Sequence, residues 1–217
     1  TGAGDALQPE PDRSLAIIGT LYSLNWGELK LSAHLPPVDL ATTPPVTLEI
    51  ENNGTWSQIA TTQIDNTDDV SSYTATFTIP FWDDNHDTPY RVGVQVDGAT
   101  YHWHGTVRHN PVEENEIIIA NTSCQRIADI SIESDSMDWS PVKMWHPHVQ
   151  SYEHITKHQP HVLLALGDQI YEGQPTSKDA FSGAFNLHHD YLYKWYLWVL
   201  QARDLAKDIP TISIPDD

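Results

Sequence analysis

The hydrophobic period changes once along this chain, and the change divides it in two. In the first half apolar residues alternate with polar ones. Leu29, Leu31, Ala33 and Leu35 are separated by Lys30, Ser32 and His34, and Val46, Leu48 and Ile50 keep the same period of two. Tyr73, Ala75, Phe77 and Ile79 alternate with Thr74, Thr76 and Thr78, and Tyr90, Val92, Val94 and Val96 with Arg91, Gly93 and Gln95. After an Asp97-Gly98 turn, Tyr101, Trp103 and Val107 share one face. Successive side chains of a strand point to opposite sides, so this pattern predicts half-buried antiparallel strands joined by polar turns. Asn53-Gly54 is a hairpin signal of that kind.

Further strands over residues 15–18 and 56–64 bring the total to about seven, the number expected of an all-β immunoglobulin-like sandwich. The sandwich would occupy residues 14–111, behind a flexible N-terminal segment at 1–13. Asp87-Thr88-Pro89-Tyr90 fits the tyrosine corner of such domains, in which the hydroxyl bonds back to nearby backbone.

Beyond a short acidic connector at 112–115 the alternation stops. Residues 116–120 form a continuous Ile-rich run behind Glu116, 162–166 a continuous apolar one, and 211–214 a short β-branched one. A helix is expected from about residue 147 to 157. A second helix carries Leu187, Tyr191, Trp195, Trp198, Ala202 and Leu205 at helical spacing. Apolar runs alternating with helices imply parallel strands buried on both faces, hence a partial α/β domain over residues 112–217. The third strand lies so near residue 217 that this domain is expected to be the front part of a longer one.

Charge narrows the function. Thirty acidic residues against eleven basic ones give a formal charge of -19, which argues against nucleic acid or an anionic membrane surface as partner. No apolar run is long enough to span a bilayer. The chain starts at Thr1 with a loose polar stretch, so a processed N-terminus is expected, and with it a periplasmic or extracellular location. Cys124 is the single cysteine, and an internal disulfide is therefore impossible.

The three apolar runs lead to Cys124, Asp168 and Asp217. In a parallel sheet the C-terminal strand ends share one rim, where α/β proteins place their ligands. A thiolate and carboxylates gathered there are costly to desolvate unless a cation offsets them. That suggests a metal site, whose metals would hold a phosphate ester and generate a hydroxide nucleophile. Alone, each residue has a plainer reading: Gly167-Asp168 as a turn, Cys124 as a small buried hydrophobe, Asp216-Asp217 as a solvated loop. Only their joint placement favours metal. Other candidates are His102 and His104 on one strand face with Thr106, the polar turn Asp83, Asp84, His86 and Asp87, the helix opening at His188, His189 and Asp190, and His146 and His148 around Pro147. For these, solvated faces, turns and helix starts are the simpler account.

Leu166-Gly167-Asp168-Gln169-Ile170-Tyr171-Glu172 resembles the Gly-Asp-x-x-Tyr motif of metallophosphatases in the form found in the alkaline phosphatase D family. Thr122-Ser123-Cys124-Gln125 is similar to that family's Ser-Cys-Gln segment, Ile214-Pro215-Asp216-Asp217 to the start of its Asp-Asp-His motif, and the aromatic helix Tyr191–Trp198 fits the same group. The resemblance implies an immunoglobulin-like domain ahead of a metallophosphatase-like αββα sandwich, and hydrolysis of phosphate mono- or diesters at a site of Fe(3+) and Ca(2+), or other divalent metals. Carried over residue by residue, Cys124 and Tyr171 would ligate the ferric ion, Asp168 would bridge it to calcium, Asp217 would face the second metal, and Asp216 would orient the loop behind it. The family's His would follow Asp217, so the chain alone is expected to hydrolyse little or nothing. The rival reading, from another class, is a non-catalytic secreted β-sandwich that binds carbohydrate or acts as an adhesive.

Overall fold

A computed structural model describes residues 15–65, 71–125, 148–171 and 184–214, the backbone alone at 184–186. Strands β1 (Gly19–Asn25), β2 (Glu28–His34), β3 (Val46–Asn52), β4 (Thr55–Thr62), β5 (Thr74–Ile79), β6 (Thr88–Val96) and β7 (Ala99–Val107) come first. They form two antiparallel sheets, ordered β1-β2-β5 and β4-β3-β6-β7. Then follow β8 (Ile119–Thr122), helix α1 (Val149–Thr156), β9 (Val162–Leu166), helix α2 (Ala184–Ala206) and β10 (Thr211–Ile214). The last three strands make a parallel sheet ordered β10-β9-β8. The protein is thus mainly β: a sandwich-like pair of antiparallel sheets, then a small parallel sheet with two helices. Among the described residues, no helix is long and apolar enough to cross a membrane.

The alternating residues build the first core. Leu29 and Leu31 from β2, Val46 and Leu48 from β3, Phe77 from β5, and Tyr90, Val92 and Val94 from β6 are buried together. The first strand departs from expectation: it starts at Gly19, after residues 15–18, and pairs with β2 across the Trp26-Gly27 turn. The reason is packing. Tyr22 and Leu24 face the sandwich core, whereas Leu21 and, just ahead of the strand, Ile18 join a second core containing Leu163, Ala165, Trp198, Val199 and Ala202. A strand covered on both faces loses the alternation that marks a half-buried one.

The two cores meet at a seam of hydrogen bonds. The Tyr90 hydroxyl donates to the Lys207 carbonyl at 3.0 Å and lies 2.6 Å from Thr20 Oγ1, so its partners are far in sequence, unlike those of a tyrosine corner. Having spent its one proton on Lys207, Tyr90 accepts from Thr20, which in turn accepts from Trp103 Nε1 at 3.1 Å. The Thr106 amide donates to Asp208 Oδ1 at 2.9 Å, and Arg203 lies 5.0 Å over the Trp103 ring. Gly105 makes this approach possible, because a Cβ there would stand 2.5 Å from the Lys207 carbonyl oxygen and 2.6 Å from the Tyr90 hydroxyl. Gly105→Ala is accordingly expected to cost about 1–3 kcal/mol, the usual toll of overpacking. A urea midpoint unchanged from wild type would show that the Lys207 turn is not pinned to the sandwich.

The parallel sheet is covered on one side. Ala120, Leu163 and Ala165 pack toward the core beneath α2, and Trp198 is among the residues that meet them. Register places Ile119, Leu164, Leu166, Ile212 and Ile214 on the opposite face, where all but the half-buried Leu164 are exposed. Among the described residues, that apolar face has no covering layer.

Candidate metal centre

Strands β8 and β9 run parallel in register, so their C-terminal ends reach the same rim. Just past those ends the backbone turns left-handed, with φ of 52° at Cys124, 85° at Gly167 and 54° at Asp168. Gly167 and Asp168 suit such a conformation, but a cysteine there is strained by about 1 kcal/mol or more. Two backbone bonds hold it. The Cys124 amide donates to the Gly167 carbonyl at 3.4 Å, and the Gln125 amide to the Asp168 carbonyl at 2.9 Å.

This brings three of the expected ligands together. Tyr171 donates its hydroxyl proton to Asp168 Oδ2 at 2.7 Å, and the Cys124 thiol points at the same oxygen from 3.5 Å. The hydrogen bond to Asp168 is the main reason the Tyr171 phenol holds its proton more tightly than usual, with burial and the neighbouring Cys124 adding to it. The set fits a cation. Metal–ligand bonds of about 2.0–2.3 Å meeting at a right angle put neighbouring donors roughly 3 Å apart, close to the spacings seen here. Thiolate and phenolate suit iron, and the carboxylate suits either iron or calcium. Among the described residues no three His, Cys, Asp or Glu side chains cluster, so the convergence depends on the tyrosine.

Asp216 and Asp217 lie outside the described residues. The strand that leads to them is nonetheless tied to the rim, since buried Gln169 donates from Nε2 to the Ala165 carbonyl at 2.6 Å and the Ile214 carbonyl at 3.3 Å.

The other candidates do not join this group. His102 and His104 sit on the outer face of the four-stranded sheet, their rings 6.2 Å apart, with Trp56 5.3 Å from His104 and capped by Arg91 at 4.6 Å. Burial lowers both imidazole pKa values, and Arg91 lowers them further. The turn at Asp83 is satisfied internally by Asn85, and Asp87 by His109 at 2.7 Å. His188 packs α2 onto the sandwich through the Ser71 carbonyl at 2.8 Å. Asp190, expected near a helix start, lies in the second turn of α2, where it pairs with buried Lys194 at 2.6 Å. His148 sits at the start of α1, its amide bonded to Gln201 Oε1 at 2.9 Å, and His146 is outside the described residues. A depression of about 510 Å³ between the 37–44 loop and the Asp97-Gly98 turn gathers no comparable donors.

One residue of consequence carried no signal in the spacing. Gln125 is buried, and its Oε1 accepts from Trp198 Nε1 at 2.7 Å and from the Tyr152 hydroxyl at 2.5 Å. The helical stripe on α2 pointed to Trp198 as buried but not to this partner. Comparison with protein-family models and with curated proteins finds no match.

Proposed function

We propose that this chain contributes part of the metal centre of an exported phosphoester hydrolase of the kind its motifs resemble, the alkaline phosphatase D family. The observation that carries the reading is the convergence of Cys124 and Tyr171 on one carboxylate oxygen of Asp168 at the ends of adjacent parallel strands. The fold is compatible with it. The sheet orders β1-β2-β5 and β4-β3-β6-β7 suit an immunoglobulin-like sandwich whose fourth strand sits beside the third. The uncovered apolar face of the parallel sheet suits one half of an αββα sandwich, because parallel sheets are ordinarily buried on both sides.

The charge of the chain favours a cation at such a site. A phosphate ester approaching a molecule of formal charge -19 is repelled unless positive charge is fixed locally. Iron and calcium bound here would neutralise the phosphate oxygens and acidify a water. The residues would supply the rest: Asp168 the common oxygen, Tyr171 a phenolate once its proton, now bonded to Asp168, is released to water, and Cys124 the soft donor.

The test is metal analysis and turnover of the natural gene product containing these residues. Iron and calcium should co-purify with hydrolysis of p-nitrophenyl phosphate or its bis ester, and Tyr171→Phe should bleach the visible absorption of a ferric phenolate. Active protein that is colourless and free of both metals would overturn the reading. One observation favours the binding-module alternative. Trp26 and Phe81, each 98 % exposed, stand on neighbouring turns joined by the Trp82 amide and the Gly27 carbonyl at 2.6 Å. That reading requires retention on a ligand without turnover.

A further inference from the structure

We infer that Gln125 is the positioning residue of the centre, fixing the Cys124 thiol by anchoring its left-handed turn to both helices. The inference rests on the metal-centre reading and goes beyond it, because nothing in the Ser-Cys-Gln segment itself says what the glutamine does.

The argument is one of attachment. Cys124 is exposed, so packing does little to hold it. The next residue is held on two sides. Its backbone amide is bonded to the Asp168 carbonyl at 2.9 Å, which couples the Cys124 turn to the Asp168 turn. Its side chain runs inward to α1 and α2. An indole N–H can only donate, so the atom 2.7 Å from Trp198 Nε1 must be the amide oxygen, and the same oxygen receives the Tyr152 hydroxyl. Trp198 Nε1 also lies 3.1 Å from that hydroxyl, closing a three-membered ring of polar groups in the second core. Trp198 is fully buried, Tyr152 nearly so, and neither can follow the rim if it shifts. Breaking the amide's bonds would leave the Trp198 N–H only the Tyr152 oxygen, take from the Tyr152 hydroxyl the acceptor it has on Gln125, and free the Cys124 turn to relax out of its strained conformation. A residue that only filled space would not care whether its tip was polar.

Gln125→Leu keeps the volume and removes the acceptor, whereas Gln125→Glu keeps the acceptor. Each is compared with wild type, as the full chain, by titration with Co(2+) alone, reading thiolate-to-cobalt charge transfer and affinity. Gln125→Leu should lose most of the thiolate band and bind at least about tenfold more weakly, in the range found when residues behind metal ligands are changed. Gln125→Glu should retain both. If wild type shows no thiolate band, or Cys124→Ser retains it, the metal-centre reading itself fails. A wild-type band that persists unchanged in Gln125→Leu leaves that reading standing and overturns this inference. Should Gln125→Leu not fold, Tyr152→Phe and Trp198→Phe each remove one donor, and both should weaken Co(2+) binding. Unchanged affinity in the two would overturn the inference equally.

Discussion

Asp168→Ala is expected to abolish cation binding at the rim of the parallel sheet, with affinity falling at least about a hundredfold. The size of the effect follows from where the Asp168 carboxylate sits. Both other donors aim at its Oδ2, Tyr171 from 2.7 Å and Cys124 from 3.5 Å, so its loss removes a ligand and leaves the remaining two without a common partner. Alanine also fits the left-handed backbone poorly, at a cost of about 1 kcal/mol, and Asp168→Asn is the cleaner variant because asparagine tolerates that conformation. Asn keeps the shape and loses the charge, and its amide cannot bridge two cations. Titration with Co(2+), followed by calorimetry, separates the outcomes. If both variants bind within a few-fold of wild type, the cation is held elsewhere and the convergence at Asp168 is only a strand-end hydrogen-bond cluster.

The second large effect is on stability, and acid should produce it. His34 closes β2 where the sandwich meets α2. Its ring lies edge-on to Trp195 at 6.1 Å, Nδ1 is 3.5 Å from Thr74 Oγ1, and Nε2 is buried with no hydrogen-bond partner among the described residues. Burial pushes its pKa down to about 4 from the ordinary 6.5. As pH falls, the unfolded chain therefore takes up a proton before the folded chain does. The stability tied to neutral His34 is complete above about 6.5, declines between 6.5 and about 4, and is gone below that. At about 1.4 kcal/mol per pH unit, the full loss is about 3 kcal/mol. Urea unfolding of wild type and His34→Gln at pH 7 and pH 5 isolates this contribution from other titrating groups. Wild type should lose about 2 kcal/mol more than the variant across that interval. Equal losses in the two would clear His34 of any role.

Much of this architecture is legible in the sequence because its rules are local. The strands with one buried face announced themselves by alternation, and the residues after the apolar runs at Cys124 and Asp168 could be placed on one rim by the geometry of parallel strands. What stayed hidden depends on contacts between distant segments. The burial of Tyr90 was readable, but Lys207, whose carbonyl accepts its hydrogen bond, is 117 positions away. Gln125 looked like the tail of a motif until Tyr152 and Trp198, 27 and 73 positions on, were seen against it. Tyr171 entered through motif resemblance alone, since three residues beyond an aspartate in a loop implies no particular approach. The helix carrying His188 and Asp190 starts earlier than expected, at Ala184, which turns Asp190 from a terminal residue into half of a buried pair.

The double allegiance of β1 has a consequence for biosynthesis. Chains emerge from the ribosome amino end first, and leading domains commonly fold before later ones exist. Here Tyr22 can find its sandwich partners once β7 has been made, but Ile18 and Leu21 belong to a core completed by Val199 and Ala202. Until those residues appear, the leading strand keeps one apolar side wet. A nascent chain paused near residue 110 should therefore be a sandwich with a sticky flank, captured by any holdase that reads exposed aliphatic side chains. Completion of the second helix, rather than of the sandwich, would be the event that releases it.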